Sequence, residues 1–358
     1  ICIISSNCPE WSLVDMGINK IGAINAPIYP NITREEYKYI INDCGAKMIF
    51  VGSSEIYENV QGLDKEIECL EHIYSFNQIE GVKNWMDILE SGMLNPMNDK
   101  MQEIQASIKE TDLFTLIYTS GTTGKPKGVL HGIGGYLTHL YSTYKWAFDI
   151  KDSDVYFCTA DIGWVTGHSY VVYGPLLHGA TQVMYEGAPD YPDSSRMWDI
   201  IQKYGVTIFY TTPTALRMLM KFGDDIPNSF DLSSLRLLGT VGEPINPQVW
   251  KWYFDVIGKK KCPIIDTWWQ TETGGMLISP LPGIETIPLK PGSATLPIPG
   301  LDIQVVDESG NEVEPETKGS LIIKTPWPGM LLGLWKDNQK YKDVYWSKFE
   351  SVYYPGDY

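Results

Sequence analysis

The first fifty residues alternate between two spacings of hydrophobic and polar positions. Apolar runs with the length of buried strands occur at residues 1–5, 23–29 and 47–51. Between these runs, residues 9–21 and 33–44 repeat apolar side chains at helical spacing. Thr33 and Glu36 give the second stretch a capping box, and Gly45 follows it as a stop signal. Strands that alternate with helices predict an α/β fold with a mostly parallel sheet covered on both faces.

The same alternation continues through the middle of the chain and changes near its end. An apolar run at 113–118 leads into a glycine-rich loop, and further strands are predicted near residues 155–158, 181–185, 206–210, 235–239 and 263–266. Residues 90–110 are polar and rich in Met, which is typical of a linker or surface segment. From about residue 290 Pro and Gly are dense, and the short runs at 303–306 and 320–324 predict a small antiparallel barrel or sheet.

The acidic composition narrows the classes of partner. The 358 residues include 28 Lys and Arg and 44 Asp and Glu, which gives a formal net charge of −16. This charge argues against nucleic acid or an anionic membrane surface as the main partner. Hydrophobic residues at 43% and charged residues at 20% exclude a disordered chain, and the length predicts about two domains. No apolar run in the sequence predicts a membrane span.

The positions of cysteine and histidine exclude further classes. The six Cys form no CxxC and, together with the five His, show no zinc-ligand spacing. Scattered Cys and no signal peptide are typical of a reduced, cytoplasmic protein. The chain starts at Ile1 inside a strand-like run, so we expect a fragment of a longer protein.

Residues 118–128, YTSGTTGKPKG, form the clearest chemical feature of the sequence. Glycines let backbone N–H groups approach phosphate oxygens, and hydroxyls add donors. The spacing is neither that of a Walker A loop nor GxGxxG, and a loop of this composition alone is more often a flexible surface segment. Residues 113–148 contain no Asp or Glu, although an even spread of the 44 acids would put about 4 there. The local field around the loop therefore favours an anion.

The loop, with the Val-Leu-His that follows it, resembles the phosphate-binding signature of the adenylate-forming synthetases. From residue 118 onward the chain is similar to the acetyl-CoA synthetases among them. Three segments carry this likeness, DIGWVTGH at 161–168, VGEPINP at 241–247 and DTWWQTETGG at 266–275. The closing residues 290–358 resemble the same family. The resemblance implies the large N-terminal domain of these enzymes, with two α/β subdomains and a small β-barrel subdomain.

The resemblance implies a binding site for MgATP. The phosphates are assigned to the loop residues Thr119, Ser120, Gly121, Thr122, Thr123, Gly124 and Lys125. Adenine and ribose are assigned to Gly242, Glu243, Pro244, Asp266, Thr267, Trp268, Gln270 and Asp357. Two residues are implied in catalysis, Thr271 as a donor to the α-phosphate and Glu272 as the Mg²⁺ ligand. The chemistry agrees, because the carboxylate of Asp266 can accept from an adenine amino group and Glu272 is a hard oxygen ligand.

The resemblance also implies an acyl pocket. Its members are Trp164, Val165, Thr166, Val241 and Trp269. An indole buries about 150–250 Å², so Trp269 at the pocket floor would leave room for one or two carbons beyond the carboxylate. The alternative is that Trp268 and Trp269 are ordinary core aromatics in a chain with 12 Trp. His168 follows the pocket segment, and we assign it no catalytic step.

Two departures from the acetyl-CoA synthetases stand out. Residues 5–11, 21–51 and 74–76 look more like long-chain fatty acyl-CoA synthetases. Either the chain is a chimera joined near residues 111–124, or it is a single divergent member. The sequence accordingly divides into residues 1–112, 113–289 and 290–358. The resemblance further implies that a mobile C-terminal domain is missing, with the Lys that promotes adenylation and helps to form the CoA channel.

The expected function is that of an AMP-forming acetate–CoA ligase. Acetate would attack the α-phosphorus of MgATP to give acetyl-adenylate and pyrophosphate, and the thiol of CoA would then take the acyl group. As a fragment, the chain is expected to be limited to nucleotide binding. Two alternatives stay open, a synthetase for longer fatty acids and a nucleotide-binding module without turnover. The choice between acetate and propionate is also open.

Overall fold

The computed structural model describes residues 1–119 and 125–356. The strands are β1 (Cys2–Ile4), β2 (Met48–Val51), β3 (His72–Ser75), β4 (Lys83–Asn84), β5 (Leu113–Thr119), β6 (Lys127–Gly132), β7 (Val155–Cys158), β8 (Thr181–Val183), β9 (Ile208–Thr211), β10 (Leu237–Thr240), β11 (Ile264–Asp266), β12 (Ile303–Val306), β13 (Ser320–Ile323) and β14 (Gly333–Leu334).

Helices connect most of these strands. The α-helices are α1 (Pro9–Lys20), α2 (Arg34–Cys44), α3 (Ser54–Val60), α4 (Leu63–Glu66), α5 (Met86–Leu94), α6 (Asn98–Ser107), α7 (Ile133–Phe148), α8 (Val165–Gly167), α9 (Gly174–Leu177), α10 (Arg196–Tyr204), α11 (Pro213–Met220), α12 (Asp225–Asn228), α13 (Pro247–Trp252) and α14 (Asn338–Tyr345). Two π-helical turns (His168–Tyr173 and Tyr253–Ile257) and a 3₁₀ turn (Thr271–Thr273) complete the helical segments of the described residues.

The chain divides into two compact units. The first comprises Ile1–Gly135, Asp161–His168 and Leu331–Lys336. The second comprises Tyr136–Ala160, Ser169–Met330 and Asp337–Tyr358. The division at residues 112 and 289, which rests on sequence character, stays a prediction.

The first unit contains a parallel sheet in the order β1-β2-β3-β4 and an antiparallel sheet in the order β14-β6-β5. Helix α2 begins and ends as predicted. The backbone N–H of Thr33 donates to Glu36 Oε2 (2.8 Å), Thr33 Oγ1 accepts from the Glu36 N–H, and Gly45 ends the helix at φ 65°. Its buried residues Tyr37, Ile40 and Ile41 pack into the core formed with β1 and β2.

The strand predicted at 23–29 is wrong as a continuous strand. The N–H groups of Ala26 and Ile28 donate to the carbonyls of Ile1 and Ile3, but only isolated bridges form there among the described residues. The reason is Pro27, which has no N–H to offer the neighbour on its other side. The segment at 90–110 is likewise more ordered than a linker, because α5 and α6 occupy it. Neither helix buries a residue, which agrees with a surface segment.

The second unit contains a parallel sheet in the order β11-β10-β9-β7-β8. It confirms the strands predicted near 155–158, 181–185, 206–210, 235–239 and 263–266, and it confirms the α/β fold class. Its core holds large buried side chains such as Trp198, Phe209 and Tyr253. Strands β9, β10 and β11 end side by side, because Thr240 pairs with Thr211 on one side and with Asp266 on the other.

The last part of the second unit is antiparallel, as predicted. Strands β12 and β13 pair with Ile303 opposite Ile323, and Val306, Ile322 and Phe349 form a small core beside them. Within the described residues this is a two-stranded sheet extended by isolated bridges, and a closed barrel is not formed. None of the helices in the described ranges is long and apolar enough to cross a membrane.

Candidate functional site

A cavity of about 700 Å³ opens in the second unit beside the ends of β10 and β11. It is lined by Gly242, Glu243, Pro244, Asp266, Thr267, Trp268, Trp269, Gln270, Gly292, Ala294 and Gly356. The structure thus brings together two segments that are more than twenty residues apart, 242–244 and 266–270. The family resemblance assigns adenine and ribose to these segments. Ligands of parallel sheets commonly bind at the carboxyl ends of strands, which is where this cavity lies.

Asp266 is the buried carboxylate of the cavity. It is the last residue of β11 and is 6% exposed. Thr240, the last residue of β10, donates from Oγ1 to Asp266 Oδ1 over 3.0 Å. Burial raises the pKa of Asp266 to about 6, and the hydrogen bond from Thr240 offsets part of that effect. A carboxylate in this state favours a ligand that donates a hydrogen bond to it, because the donor stabilises the ionised form.

The side chain of Glu243 is occupied elsewhere. Its Oε2 accepts from Arg217 Nη2 at 2.8 Å, and its Oε1 accepts from the hydroxyl of Thr214. Burial alone would raise the pKa of Glu243, but Arg217 and Thr214 hold it below its usual range. Gly242, before it, takes a φ of 93°, which is the left-handed region that favours glycine. Because its carboxylate is bound to Arg217 and Thr214, Glu243 contributes to the cavity chiefly through its backbone.

Trp269 rests on a rigid support. Its ring meets the ring of Tyr170 edge to face, with centroids 5.1 Å apart at 84°. Tyr170 is fully buried, and its hydroxyl bonds with Thr143 Oγ1 and accepts from the Met276 N–H, both at 2.9 Å. Trp269 is half-buried and lines the cavity, so part of its indole packs inside and part faces the open space.

Thr271 and Glu272 lie on the 3₁₀ turn Thr271–Thr273. Glu272 is 7% exposed, and its Oε1 accepts from the hydroxyl of Tyr345 at 2.7 Å. The described residues contain no group of three or more His, Cys, Asp or Glu that would hold a metal ion. A single buried carboxylate fits Mg²⁺, which is usually bound by one or two carboxylates together with substrate phosphates. Glu272 thus suits an ion that arrives with a nucleotide.

The flanks of the glycine-rich loop belong to the first unit. Strands β5 and β6 pair antiparallel, with Thr119 opposite Lys127. Lys125 lies with its ammonium 6.0 Å from the centroid of the Tyr39 ring. The ribose residue Asp357 lies outside the described residues. So do five of the residues assigned to phosphate, Ser120, Gly121, Thr122, Thr123 and Gly124.

Three residues assigned to the acyl pocket also lie in the first unit. Trp164 is exposed, and Val165 and Thr166 are half-buried on the short helix α8. Val241 and Trp269 belong to the second unit, where Val241 is 2% exposed. The acyl pocket as a whole stays a prediction.

His168 is completely buried. Its ring stacks on that of Trp11 with centroids 5.7 Å apart. Burial lowers the pKa of His168 to about 3. The imidazole is therefore neutral at physiological pH.

The matches to known proteins include the segments that line the cavity. Over residues 1–335 the chain matches the family of AMP-binding enzymes. It belongs to this family. Acetyl-coenzyme A synthetase of Rubrobacter xylanophilus is 46% identical over 365 residues, which are 98% of this chain and 55% of that protein. The Streptomyces coelicolor protein of the same name is 45% identical over 368 residues, 100% of this chain and 56% of that protein.

These matches leave the origin of the first 112 residues open. The chain spans about half the length of the curated relatives it matches, whereas the matches cover nearly all of this chain. A shorter match of 243 residues to acetyl-coenzyme A synthetase of Streptomyces avermitilis reaches 61%, over 68% of this chain and 37% of that protein. A join between two sources stays a prediction.

A solved structure has the same fold as this chain. It is an anthranilate CoA ligase in complex with anthranoyl-AMP, at 25% identity and a TM-score of 0.80. The likeness covers 99% of this chain and 64% of that chain.

The sequence did not predict the residues that support the candidate site. Arg217 holds Glu243 from 26 positions away, and Tyr345 holds Glu272 from 73 positions away. Asn7 accepts a hydrogen bond from Ile162 across 155 positions. No local pattern marks such partners, because only the tertiary fold brings them together.

Proposed function

We propose that the chain is the nucleotide-binding part of an AMP-forming acetate–CoA ligase. Acetate would attack the α-phosphorus of MgATP, releasing pyrophosphate and forming acetyl-adenylate, and the thiol of CoA would then displace AMP. The observation that carries this proposal is the cavity in which residues 242–244 and 266–270 meet around Asp266. The acetyl-coenzyme A synthetases that match 98–100% of the chain supply the reaction type.

Each side chain of the cavity has a task in binding the nucleotide. Asp266 would accept a hydrogen bond from the adenine amino group, and the backbone of 242–244 would flank the flat base. The ion pair between Glu243 and Arg217 supports this assignment, because it keeps a second carboxylate away from the base. Specific recognition of adenine then rests on a single buried acceptor.

Charge neutralisation would be divided between the two ends of the triphosphate. Glu272 would hold Mg²⁺ as part of the MgATP substrate, with Thr271 donating to the α-phosphate. Thr119 and Lys125, with the loop between them, would bind the remaining phosphates. Positioning and charge neutralisation are the main sources of rate in such transfers.

Trp269 supports a short acyl group. The ring of Tyr170 backs its indole, so the side chain resists displacement by a longer substrate. With Val241 and residues 164–166 it would close the pocket after one or two carbons. We propose acetate as the acid, CoA as the acceptor and the cytoplasm as the location, with neither nucleic acid nor membrane as a partner.

Calorimetric titration with MgATP and an ATP–pyrophosphate exchange assay with acetate test the proposal together. We expect the chain to bind MgATP, and we expect Asp266→Ala to weaken binding at least tenfold, a loss of about 1.4 kcal/mol. Asp152→Ala removes an exposed carboxylate outside the cavity and serves as the matched control.

The outcomes separate the candidate functions. Binding with slow or undetectable exchange supports a nucleotide-binding part whose full reaction needs the C-terminal Lys implied by the resemblance. Exchange that hexanoate stimulates more than acetate would favour the longer-chain synthetase. Absence of MgATP binding would overturn the proposal.

A further inference from the structure

The turn 161–164 carries Trp164 and is anchored by residues near the start of the chain. Asn7 Oδ1 accepts a hydrogen bond from the backbone N–H of Ile162 over 2.7 Å. Asn7 is 7% exposed and Ile162 is fully buried. A buried hydrogen bond to a main-chain group fixes the position of that group, because breaking it leaves an unpaired donor.

Gly163 presses the same turn against Tyr29. A Cβ on Gly163 would lie 2.8 Å from the Cα of Tyr29 and 3.0 Å from its ring. Within the turn, Asp161 Oδ1 accepts from the Gly163 N–H at 2.7 Å, and the Trp164 N–H donates to the Asp161 carbonyl at 3.1 Å. The backbone that leads into Trp164 is therefore held both by Tyr29 and by Asp161.

The side chain of Trp164 depends on Tyr29 for its orientation. It is 48% exposed, so burial by itself leaves its rotamer free. The ring of Tyr29 packs against the indole, with centroids 4.8 Å apart and planes tilted by 37°. The hydroxyl of Tyr29 accepts from Asn31 Nδ2 over 3.5 Å.

The two rings border a small cavity of the first unit. Its volume is about 150 Å³, and its wall includes Tyr29, Trp164, Pro126 and Thr119. The last two residues flank the glycine-rich loop. A change in the angle between the rings would therefore change the space next to the predicted phosphate site.

We propose that Tyr29 and Asn7 are positioning residues that hold Trp164 where it limits the length of the acyl group. The inference rests on the proposed function, because it takes Trp164 as a wall of the acyl pocket. It extends that function to the first thirty residues. Selectivity for the acid is then set by residues outside the acyl-pocket motif.

The test measures how the 358-residue chain binds hydrolysis-resistant acyl-adenylate analogues, the acetyl and hexanoyl sulfamoyl adenosines, by calorimetry. We expect the wild type to prefer the acetyl compound. Tyr29→Leu removes the ring contact and should lower this preference about 3- to 10-fold, the range for one aromatic pair. Tyr29→Phe keeps the ring and should behave as the wild type, and AMP should bind all three proteins equally.

A double-mutant cycle shows whether Tyr29 acts through Trp164. In a Trp164→Leu background, Tyr29→Leu should change the preference no further. Should Tyr29→Leu fail to fold, Asn7→Ala removes the acceptor for Ile162 and is expected to lower the preference in the same way.

The results distinguish two failures. A wild type that binds neither AMP nor either analogue contradicts the proposed function before any variant is made. A wild type with a clear preference that a folded Tyr29→Leu or Asn7→Ala variant fully retains overturns the positioning role alone. An effect of Tyr29→Leu that persists in the Trp164→Leu background also overturns it.

Discussion

The hydroxyl of Thr240 donates a hydrogen bond to the carboxylate of Asp266 across the ends of two neighbouring parallel strands, with 3.0 Å between the oxygens. Thr240 is thus a polar partner of a carboxylate that is 6% exposed at the wall of the cavity of about 700 Å³. The bond does not cancel the effect of burial, and the pKa of Asp266 lies at about 6 instead of 3.8. The acid is therefore a pH-sensitive element of the fold and of the proposed adenine site.

The first prediction concerns stability. An acid whose pKa is raised on folding stabilises the folded state fully below its unfolded pKa, and this stability is lost as pH rises through about 6. Asp266→Asn removes the charge and keeps an acceptor for Thr240. We expect the free energy of unfolding of the variant, relative to that of the wild type, to rise by on the order of 2 kcal/mol from pH 4 to pH 7. Urea unfolding at both pH values measures it, and an equal difference at both would contradict the assignment.

The second prediction concerns ligand binding. If adenine donates to Asp266, adenosine should bind more tightly as pH rises through about 6, because the ionised carboxylate is the better acceptor. Adenosine is chosen because the phosphate of a nucleotide itself titrates near pH 6. The pH dependence should vanish in Asp266→Asn. A profile that keeps its midpoint in this variant would mean that another group controls binding.

The third prediction concerns chain length. Trp269→Gly removes the indole that rests on Tyr170, and it should shift acyl-adenylate binding toward longer acyl groups, by about tenfold or more for a butanoyl compound relative to the acetyl one. In an enzyme completed with a C-terminal domain, the same change should widen the range of acids that are activated. Trp146→Ala, which removes another half-buried indole outside the cavity, is the control. Unchanged preference would refute the pocket assignment.

The fourth prediction concerns the motif DIGWVTGH. A Cβ on Gly167 would lie 2.2 Å from the carbonyl oxygen of Asp161 and 2.5 Å from the Cα of Ile162, so backbone must shift to admit it. We expect Gly167→Ala to reduce the free energy of unfolding by about 1–3 kcal/mol. Gly17 lies within α1 with nothing within 4 Å of its added Cβ, and Gly17→Ala should stabilise by about 0.5–1 kcal/mol. Thermal melts of both variants check the opposite signs.

The fifth prediction concerns the hypothesis of a join near residues 111–124. In the first unit an apolar cavity of about 290 Å³ is lined by residues from 1–47 and, facing them, by Leu113, Leu116 and Trp335. Two parts that were never selected together should pack poorly at such a place. Calorimetry should then show two separated transitions, and Ala23→Leu should stabilise by about 1 kcal/mol by filling the cavity. Ala106→Leu on an exposed helix is the control, and one sharp, highly stable transition would argue for a single divergent member.

Local chemistry explains which elements the sequence could predict. Strands β9, β10 and β11 of the second unit are fully buried, mostly apolar runs, and so they stand out from their surroundings. The capping box of Thr33 and Glu36 is a contact between near neighbours, and it is present as expected. Residues 23–29 have the composition of a strand, but the missing N–H of Pro27 interrupts the ladder.

The sequence indicated two segments that line one cavity, but it did not indicate the residues that support them, and the roles of the site residues stay predictions. Resemblance brought segments 242–244 and 266–270 to one nucleotide, and both line one cavity. No sequence pattern near Glu272 predicts its hydrogen bond with Tyr345, and none near Glu243 predicts its ion pair with Arg217. Strand β6 was also missed, since residues 127–132 gain their order from pairing with β5 and β14.

The hydrogen bond between Asn7 and Ile162 bears on how specificity could be moved between related enzymes. The segment 161–166 looks self-contained in sequence, and it invites transplantation as a cassette. In this chain its backbone is hydrogen-bonded to the side chain of Asn7, 155 positions upstream, and Trp164 packs against the ring of Tyr29. A graft of residues 161–166 alone would lack the hydrogen bond to Asn7 and the ring contact with Tyr29. A graft that also carries positions 7 and 29 would transfer the geometry of the segment together with its sequence.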